Sequence, residues 1–437
     1  METKQIQKWL NSYSVKMVVV SALALFLLIP TLWIQDIIHE RMNLKRQVEA
    51  ELAQQWGASQ IVSGPVLNVP FTHRQPNDTD KGYVEYKTVA HFLPEMLAID
   101  TKIIPEIRYR GIYKMPVYES RVQMKGSFIA PDFNKLDLVP QEIKWNEAYF
   151  TMGITDLRGI KDSLILKINQ MKNYVEPGVS DNDLFQSGIT IKLDSLNSSQ
   201  PLAFELEFTL NGSSNFSVEA LGKTTEVKMN STWADPSFTG SFLPASREVG
   251  KEGFSAKWVV THLNRNFPQQ WIGKKHDISD ARLGVSLIMP VDHYQKSTRS
   301  VKYAILFIAL NFIVFLFIEI KNKKRIHPFQ YALVAFALLL FYTLLTSIGE
   351  QIGFNPAYAI SALAVTALIS WYAYSIVQSA KSMVWVTILQ LGLYTFLFTI
   401  LQLQDYALLM GSIGLFIILG LIMKASQQVK WYNENAE

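Results

Sequence analysis

Six long apolar runs, spread unevenly along the 437 residues, limit most strongly what this chain can fold into. The first run occupies residues 17–34 and contains no charged residue. A helix of about 20 such residues is long enough to cross the ~30 Å hydrocarbon core of a bilayer. The other five runs lie in the last third of the chain, at 303–318, 329–348, 357–377, 384–401 and 406–423. We therefore predict a membrane protein with six transmembrane helices, one N-terminal and five C-terminal.

The composition agrees with this prediction, because 49% of the residues are hydrophobic and only 18% are charged. An ordinary soluble domain carries about 25% charged residues. A cleaved signal peptide is the alternative interpretation of residues 17–34. Residues 35–40, however, offer no small-x-small cleavage site. The first run is therefore interpreted as a retained membrane anchor.

The basic residues between the runs predict the orientation, because cytoplasmic loops carry an excess of Lys and Arg. With the N-terminus inside, the short external loops at 349–356 and 402–405 contain no base and carry Glu350 and Asp405. Both termini are then cytoplasmic. The net charge of +4 is a topology signal, so no nucleic-acid partner is expected. The bases on the cytoplasmic side are Lys4, Lys8, Lys16, Lys321, Lys323, Lys324, Arg325, Lys381, Lys424 and Lys430.

Residues 35–300 form a large extracytoplasmic domain under this topology. A helical pattern continues outward from the first span and ends near Gly57. Apolar and polar residues then alternate, most clearly at 202–210, which predicts β-strands. Asn211-Gly212 is the strongest short signal for a hairpin, and some helix is expected around 156–170. We predict a β-rich domain of two packed sheets and an α+β class for the whole chain.

The predicted organisation has four parts. They are a cytoplasmic N-terminus with the first helix (1–34), the extracytoplasmic β-rich domain with its membrane-proximal helix (35–300), a five-helix transmembrane bundle (301–423) and a cytoplasmic tail (424–437).

Motifs for chemistry are sparse in this sequence. No cysteine is present, which excludes disulfides, thiolate metal sites and a thiol nucleophile. His39-Glu40 begins an HExxH-like string, but Asn43 replaces the second histidine. The seven histidines include no pair at i, i+3 or i+4, which leaves open only a metal site that folding assembles from distant residues. We predict no enzyme activity, no catalytic residues, no cofactor and no metal.

Transport is a weaker alternative. Ion and proton pathways generally need ionisable residues inside the spans, and the cores of the six runs contain none. Weakly polar residues such as Ser361, Thr366 and Gln390 favour close helix packing. A transporter or flippase-like accessory for an uncharged or lipidic substrate therefore stays as the second hypothesis.

Several strings resemble the CreD family of bacterial inner-membrane proteins in their order along the chain. They include Ala53-Gln54-Gln55-Trp56-Gly57, Ser63-Gly64-Pro65-Val66-Leu67-Asn68-Val69-Pro70, Trp233-Ala234-Asp235-Pro236-Ser237-Phe238-Thr239-Gly240-Ser241-Phe242-Leu243-Pro244, His327-Pro328-Phe329-Gln330-Tyr331 and Leu401-Gln402-Leu403-Gln404-Asp405-Tyr406-Ala407-Leu408-Leu409-Met410-Gly411-Ser412. The resemblance implies the inner membrane as location and a role in cell envelope integrity or the envelope stress response. It implies no catalytic residue.

The leading hypothesis is a non-enzymatic inner-membrane protein whose periplasmic domain binds an unknown envelope partner or ligand, while the helices lie in the lipid bilayer. An unrecognised periplasmic hydrolase is the third hypothesis. The candidate coupling residues are Glu350 and Asp405, which share one membrane depth under the predicted topology. They could hydrogen-bond the base of the β domain, or they could be solvated loop acids. The sequence does not define the oligomeric state.

Overall fold

The computed structural model describes residues 13–76, 83–136, 142–162, 164–169, 171–193, 200–274, 276–289, 293–322, 324–403 and 406–427. The chain divides into two compact units. The helical unit consists of Met1–Lys45 and Val291–Glu437, and the β unit consists of Arg46–Pro290. The predicted boundaries at 34, 300 and 423 concern the two sides of a membrane, and they stay predictions.

The described residues contain eight α-helices, and seven of them make up six candidate membrane spans, because the first two helices together form one span. One of the six candidates lies near the N-terminus and five lie near the C-terminus, so the predicted class and number of spans are confirmed. The helices are α1 (Tyr13–Phe26), α2 (Leu28–Trp56), α3 (His293–Val301), α4 (Ala304–Asn322), α5 (Pro328–Ile352), α6 (Phe354–Val377), α7 (Ala380–Gln402) and α8 (Ala407–Ser426).

The N-terminal span continues directly into the predicted outward helix. α1 and α2 are separated only by Leu27, and together they form the candidate span Met17–Trp56. Pro30 explains the interruption, because it lacks the N–H that would bond the carbonyl four residues earlier and fits only the first turn of a helix. α2 ends where the sequence predicts, since Gly57 has a φ of 139°.

Helix starts in the bundle carry recognisable caps. Pro328 occupies the first turn of α5, where a missing N–H costs nothing. His327 precedes it, and its Nδ1 accepts a hydrogen bond of 3.2 Å from the backbone N–H of Phe329. Ser379 caps α7 by accepting a bond from the N–H of Ser382. These caps define the turns between the helices.

The described part of the β unit forms two sheets, as predicted. The ten-stranded sheet has the order β14-β18-β12-β1-β6-β10-β9, with β2 and β5 also paired to β1 and β17 paired to β2. The eight-stranded sheet has the order β15-β16-β13-β3-β4-β11-β7-β8. The strands are β1 (Gln60–Pro76), β2 (Tyr83–Phe92), β3 (Met96–Arg110), β4 (Tyr113–Phe128), β5 (Glu142–Ile143), β6 (Tyr149–Ile154), β7 (Ile165–Ile168), β8 (Met171–Asn173), β9 (Glu176–Pro177), β10 (Gly188–Lys192), β11 (Leu202–Ser213), β12 (Asn215–Glu219), β13 (Thr224–Ser231), β14 (Pro236–Gly240), β15 (Ser246–Gly250), β16 (Gly253–Thr261), β17 (Gln270–Ile272) and β18 (Arg282–Leu287).

The two sheets share one hydrophobic core. Leu67 and Phe150 point into it from the ten-stranded sheet, and Ile99 and Leu206 point into it from the eight-stranded sheet. Side chains alternate between the two faces of a strand, so an alternating sequence places its apolar residues in the core. In β11, the large apolar residues of 202–210 are buried and those between them are more exposed. A smaller core covers the other face of the ten-stranded sheet and contains Phe185 and Trp271.

The hairpin predicted at Asn211-Gly212 is wrong. β11 runs through both residues, and Gly212 pairs with Tyr118 of β4. The chain instead turns at Ser214, whose φ is 59°, and β12 joins the other sheet beside β1. Glycine at position 212 allows the backbone of β11 to approach the Tyr118 side chain closely and does not form a turn. A Cβ at this position would lie 2.3 Å from the Tyr118 hydroxyl.

The helix expected around 156–170 is also wrong. A single 3-10 turn at Leu157–Gly159 is capped by Asp156, and β7 follows. The side chains of β7 alternate between exposed and buried, and Leu166 pairs with Leu206 of β11. The short apolar stretch therefore completes a sheet, and this tertiary pairing overrides its local preference.

Candidate functional site

Glu350, a candidate coupling residue, lies in the last turn of α5 and is held by two partners of the helical unit. Its Oε1 accepts a hydrogen bond of 2.9 Å from the Tyr294 hydroxyl. The same oxygen lies 3.7 Å from Nε of Arg41. The side chain of Glu350 is only 10% exposed, and Tyr294 is fully buried. Glu350 is therefore a nearly buried, ion-paired carboxylate.

The partners of Glu350 lie on the two chain segments that lead into and out of the β unit. Arg41 is part of α2, and the division between the two units falls four residues later along this helix. Tyr294 belongs to α3, which begins three residues after Pro290, the last residue of the β unit. One carboxylate of α5 thus contacts both connecting segments.

Further polar contacts attach α3 to the end of α7 and, through Gln402, to the start of α6. Nζ of Lys296 donates a hydrogen bond of 2.6 Å to Oε1 of Gln402 at the end of α7. Nε2 of Gln402 in turn donates to Oδ1 of Asn355 in α6 at 2.8 Å. Burial and the neighbouring Arg299 lower the pKa of Lys296. We call Tyr294, Lys296, Glu350, Asn355 and Gln402 the end cluster.

A second polar contact lies inside the helical unit. Nε2 of Gln390 in α7 donates to Oδ1 of Asn311 in α4, and both side chains are almost fully buried. Interhelical amide pairs of this kind hold helices together in a bilayer. Gln390 was expected among the weakly polar residues that favour helix packing. Asn311 was not expected, because nothing local in an apolar run indicates which helix a polar residue faces.

Glu319 forms a third buried contact. The sequence places it just beyond the second span, whereas the structure includes it in the last turn of α4 with 4% exposure. Its Oε2 accepts a hydrogen bond of 3.1 Å from the Tyr331 hydroxyl of α5. The contact lies near the helix ends that the predicted topology assigns to the cytoplasm.

The β unit brings together one histidine and two acids that are distant in the sequence. One ligand atom each from His91, Asp181 and Asp183 lies within 4.8 Å of the others. Burial lowers the pKa of His91, while Asp181 and Asp183 oppose this shift. These residues could hold a metal ion, and they are the group that the sequence analysis missed. Histidine spacing could not reveal the group, since a strand and a remote loop supply its members.

Known proteins match this chain over nearly its whole length. The model of the family described as "Inner membrane protein CreD" matches residues 12–432. The chain belongs to the CreD family. The inner membrane protein CreD of Escherichia coli (strain K12) is 30% identical over 423 residues, which cover 95% of this chain and 93% of that protein.

Membership in the CreD family confirms the resemblance found in the sequence. Together with the six apolar helices, it makes this chain a multi-pass protein of the inner membrane, surrounded by a lipid bilayer. The cytoplasmic position of both termini stays a prediction. Of the two candidate coupling residues, Glu350 is part of the end cluster, and Asp405 lies outside the described residues. The coupling role of both stays a prediction.

Proposed function

We propose that this CreD-family chain supports cell envelope integrity and the response to envelope stress as a non-enzymatic membrane protein. In this proposal the β unit lies in the periplasm and binds an envelope component through its surface. The orientation rests on the distribution of basic residues, which places both termini in the cytoplasm. The envelope role rests on the resemblance to the CreD family.

The observation that carries the binding proposal is an apolar groove in the β unit. It has a volume of about 600 Å³ and opens to solvent. The lining residues come from the turn after β6, from β7 to β9 and from β10. They are Leu157, Ile160, Leu164, Ile165, Lys172, Asn173, Tyr174, Val175, Pro177 and Ile189.

Several of these apolar side chains are open to water. Tyr174 is 95% exposed and Ile165 is 41% exposed. A contiguous apolar patch of this kind is typical of binding surfaces, because its burial by a partner is favourable. Lys172 is the one charged residue among the described lining residues. The groove therefore suits an apolar or amphipathic segment and supports binding rather than catalysis.

The end cluster supports communication between the binding domain and the bundle. A ligand on the β unit can affect the helices through the two connecting segments, and Glu350 contacts one residue on each of them. A carboxylate that is held by a buried hydroxyl and a guanidinium has a defined geometry. A shift of either segment would change these bonds.

Transport of an uncharged or lipidic substrate is the second candidate function. Its specific support is a small number of buried polar groups in the otherwise apolar interior of the bundle. The Tyr358 hydroxyl donates to the backbone carbonyl of Tyr394, and the ring of Phe341 contacts both rings. Buried polar groups of this kind line substrate paths in some membrane proteins, and they also fasten helices.

A complementation experiment tests the proposal. Cells that lack the gene are challenged with a β-lactam and with detergent, and survival is compared after expression of wild type, of Ile165→Glu with Tyr174→Glu, or of Leu263→Glu. Leu263 is the matched control because it is an apolar residue with 83% exposure that does not line the groove. Membrane abundance of each protein is measured in parallel.

We expect wild type and Leu263→Glu to restore survival, and the groove variant to fail at normal abundance. Charges in an apolar groove disfavour an apolar ligand. If cells without the gene survive both challenges as well as wild type, the envelope role is wrong. If the groove variant restores survival fully, the groove is not the binding surface.

A further inference from the structure

His91, Asp181 and Asp183 meet on the outer face of the ten-stranded sheet, away from the core that the two sheets share. His91 of β2 pairs with Asn68 of β1 on one side and with Trp271 of β17 on the other. The two acids lie in the loop between β9 and β10. His91 itself is fully buried.

The acid-bearing loop is held on this face by two contacts. The Tyr149 hydroxyl donates a hydrogen bond to Oδ2 of Asp181. The ring of Phe185 packs on Gly153, where an added Cβ would lie 2.5 Å from the ring. Within the loop, Oδ1 of Asp181 accepts the backbone N–H of Asp183 at 3.1 Å. The positions of both carboxylates are therefore defined by the fold.

The hydrogen bonds of Asn68 determine which nitrogen of His91 carries a proton. Nδ2 of Asn68 donates to the backbone carbonyl of Val66 at 3.2 Å and to Oγ1 of Thr151 at 2.7 Å. The carbonyl of Val66 can only accept, so the NH2 group of Asn68 must point toward it. Oδ1 of Asn68 then faces Nδ1 of His91 at 2.7 Å. Nδ1 is consequently the donor, and Nε2 of the neutral ring carries a lone pair.

The lone pair of Nε2 faces acid oxygens. Oδ2 of Asp183 lies 3.4 Å from Nε2, yet Nε2 forms no hydrogen bond with any described residue. A neutral imidazole and a carboxylate repel each other at this position, because both present lone pairs. A buried polar atom without a hydrogen-bond partner destabilises the fold. A cation between these atoms would remove this destabilisation.

The spacing fits a metal ion. Ligand atoms at ~2.1 Å from a tetrahedral metal lie ~3.4 Å apart, given the usual Zn–N and Zn–O distances. An imidazole oriented through Nδ1–H by an amide or carbonyl oxygen is also the usual arrangement of a histidine ligand. Asp183 lines a surface groove of about 400 Å³, which offers an entry path for an ion.

We propose that His91, Asp181 and Asp183 bind a divalent transition-metal cation of the Zn²⁺ type, with Asn68 as the positioning residue for His91. One nitrogen and two carboxylate ligands suit Zn²⁺, Mn²⁺ or Fe²⁺ better than Ca²⁺ or Mg²⁺, which prefer oxygen ligands alone. The bound ion fastens the loop between β9 and β10 to the sheet. This inference does not depend on the apolar groove or on the proposed envelope role.

Metal titration of the full chain tests the inference. The protein is purified in detergent without a polyhistidine tag, treated with a chelator and titrated with Zn²⁺, Mn²⁺ and Ca²⁺ by calorimetry. We expect one Zn²⁺ per chain, weaker binding of Mn²⁺ and the weakest binding of Ca²⁺. Binding of Co²⁺ supplies a second measurement, because its visible absorption depends on the ligand set.

Variants separate the ligands from their neighbours. Asp183→Asn lies in a partly exposed loop, so we expect it to fold and to bind Zn²⁺ at least tenfold more weakly. His91→Gln should also abolish the Co²⁺ absorption of the site. Asn68→Leu should weaken binding by roughly 10–100-fold, as loss of a partner of a ligand usually does. Asp277→Asn is the matched control, since Asp277 lines the same groove outside the cluster.

Two results would overturn the metal site. One is the absence of stoichiometric binding of Zn²⁺, Mn²⁺ and Co²⁺ to the folded wild-type chain. The other is equal affinity of wild type and Asp183→Asn. Either result would leave the cluster as a contact between the loop and the sheet that holds no metal ion. Circular dichroism of each variant shows whether it is folded.

Discussion

The hydroxyl of Tyr294 donates a hydrogen bond of 2.9 Å to Oε1 of Glu350, and this bond joins the segment that leaves the β unit to the end of α5. Tyr294 is fully buried, so its hydroxyl depends on a protein partner. The bond is the part of the end cluster whose removal tests coupling most cleanly.

We predict that Tyr294→Phe lowers the stability of the helical unit by about 0.5–1.5 kcal/mol, the usual contribution of one hydrogen bond. Glu350→Ala should have a larger effect, because it also removes the ion pair with Arg41. Thermal unfolding of the purified full chain measures both changes. Glu350→Gln keeps an acceptor and is the control.

The double variant Glu350→Ala with Asp405→Ala tests the coupling role itself. We expect normal membrane insertion and abundance together with loss of protection against envelope stress. Protection equal to that of wild type would show that the two acids only mark the outer side of the membrane.

The hydrogen bonds of Asp156 predict that the stability of the β unit depends on pH. Its carboxylate accepts hydrogen bonds from the side chain of Arg158 and from the backbone N–H groups of Ala58 and Arg158. The Arg158 side chain chiefly, with these N–H groups, lowers the pKa of Asp156 below its usual value. The bonds therefore contribute fully above the unfolded pKa of about 3.9 and are lost as the pH falls through the lower folded pKa.

We expect Asp156→Ala to destabilise the β unit by about 1–3 kcal/mol at pH 7, because it leaves the half-buried N–H groups of Ala58 and Arg158 without their charged acceptor. The difference from wild type should shrink as the pH falls below about 4, where Asp156 is protonated first in the unfolded chain and then, at lower pH, in the folded protein. Hydrogen exchange of the β-strand amides at several pH values measures it. Asp235→Ala, at an exposed position, should change little. A difference that grows toward acid pH would contradict the assignment.

The buried pair of Asn311 and Gln390 predicts non-additive mutations. Gln390→Leu leaves the amide of Asn311 without this partner inside an apolar bundle, so we expect a loss of about 0.6–1.7 kcal/mol. Adding Asn311→Leu should recover part of that loss, because no unpaired amide then remains. Reversible unfolding in detergent of wild type, both single variants and the double variant measures the coupling. Strict additivity would exclude an energetic link.

The sequence predicted elements whose cause is local. The six apolar runs are enough to predict the six candidate spans. The alternation of apolar and polar residues at 202–210 is enough to predict β11. The prediction of a hairpin at Asn211-Gly212 was wrong, because the close packing of Gly212 on Tyr118 outweighs the local preference for a turn. The prediction of a helix around 156–170 was wrong, because the apolar residues of this stretch pair as β7 with the neighbouring strand β11.

The candidate sites were harder to predict, since their members come from distant segments. Glu350 was identifiable from its position at the end of a span, but its contact with Tyr294 depends on the packing of α3. His91 and Asp183 are 92 positions apart in the sequence. No local pattern places a strand residue opposite a loop so far along the chain.

We propose that the β unit and the end of α5 face the periplasm while both termini lie in the cytoplasm. Because the chain has no cysteine, single-cysteine variants can be labelled against a silent background. The positions are Leu263 in the β unit, Gln351 at the end of α5 and Lys381 at the start of α7, all of them exposed.

The decisive measurement is labelling of Leu263→Cys, Gln351→Cys and Lys381→Cys with an impermeant thiol reagent, in cells whose outer membrane alone has been permeabilised. We predict that Leu263→Cys and Gln351→Cys react in these cells, and that Lys381→Cys reacts only after the inner membrane is opened. Labelling of Lys381→Cys with protection of the other two would contradict the account.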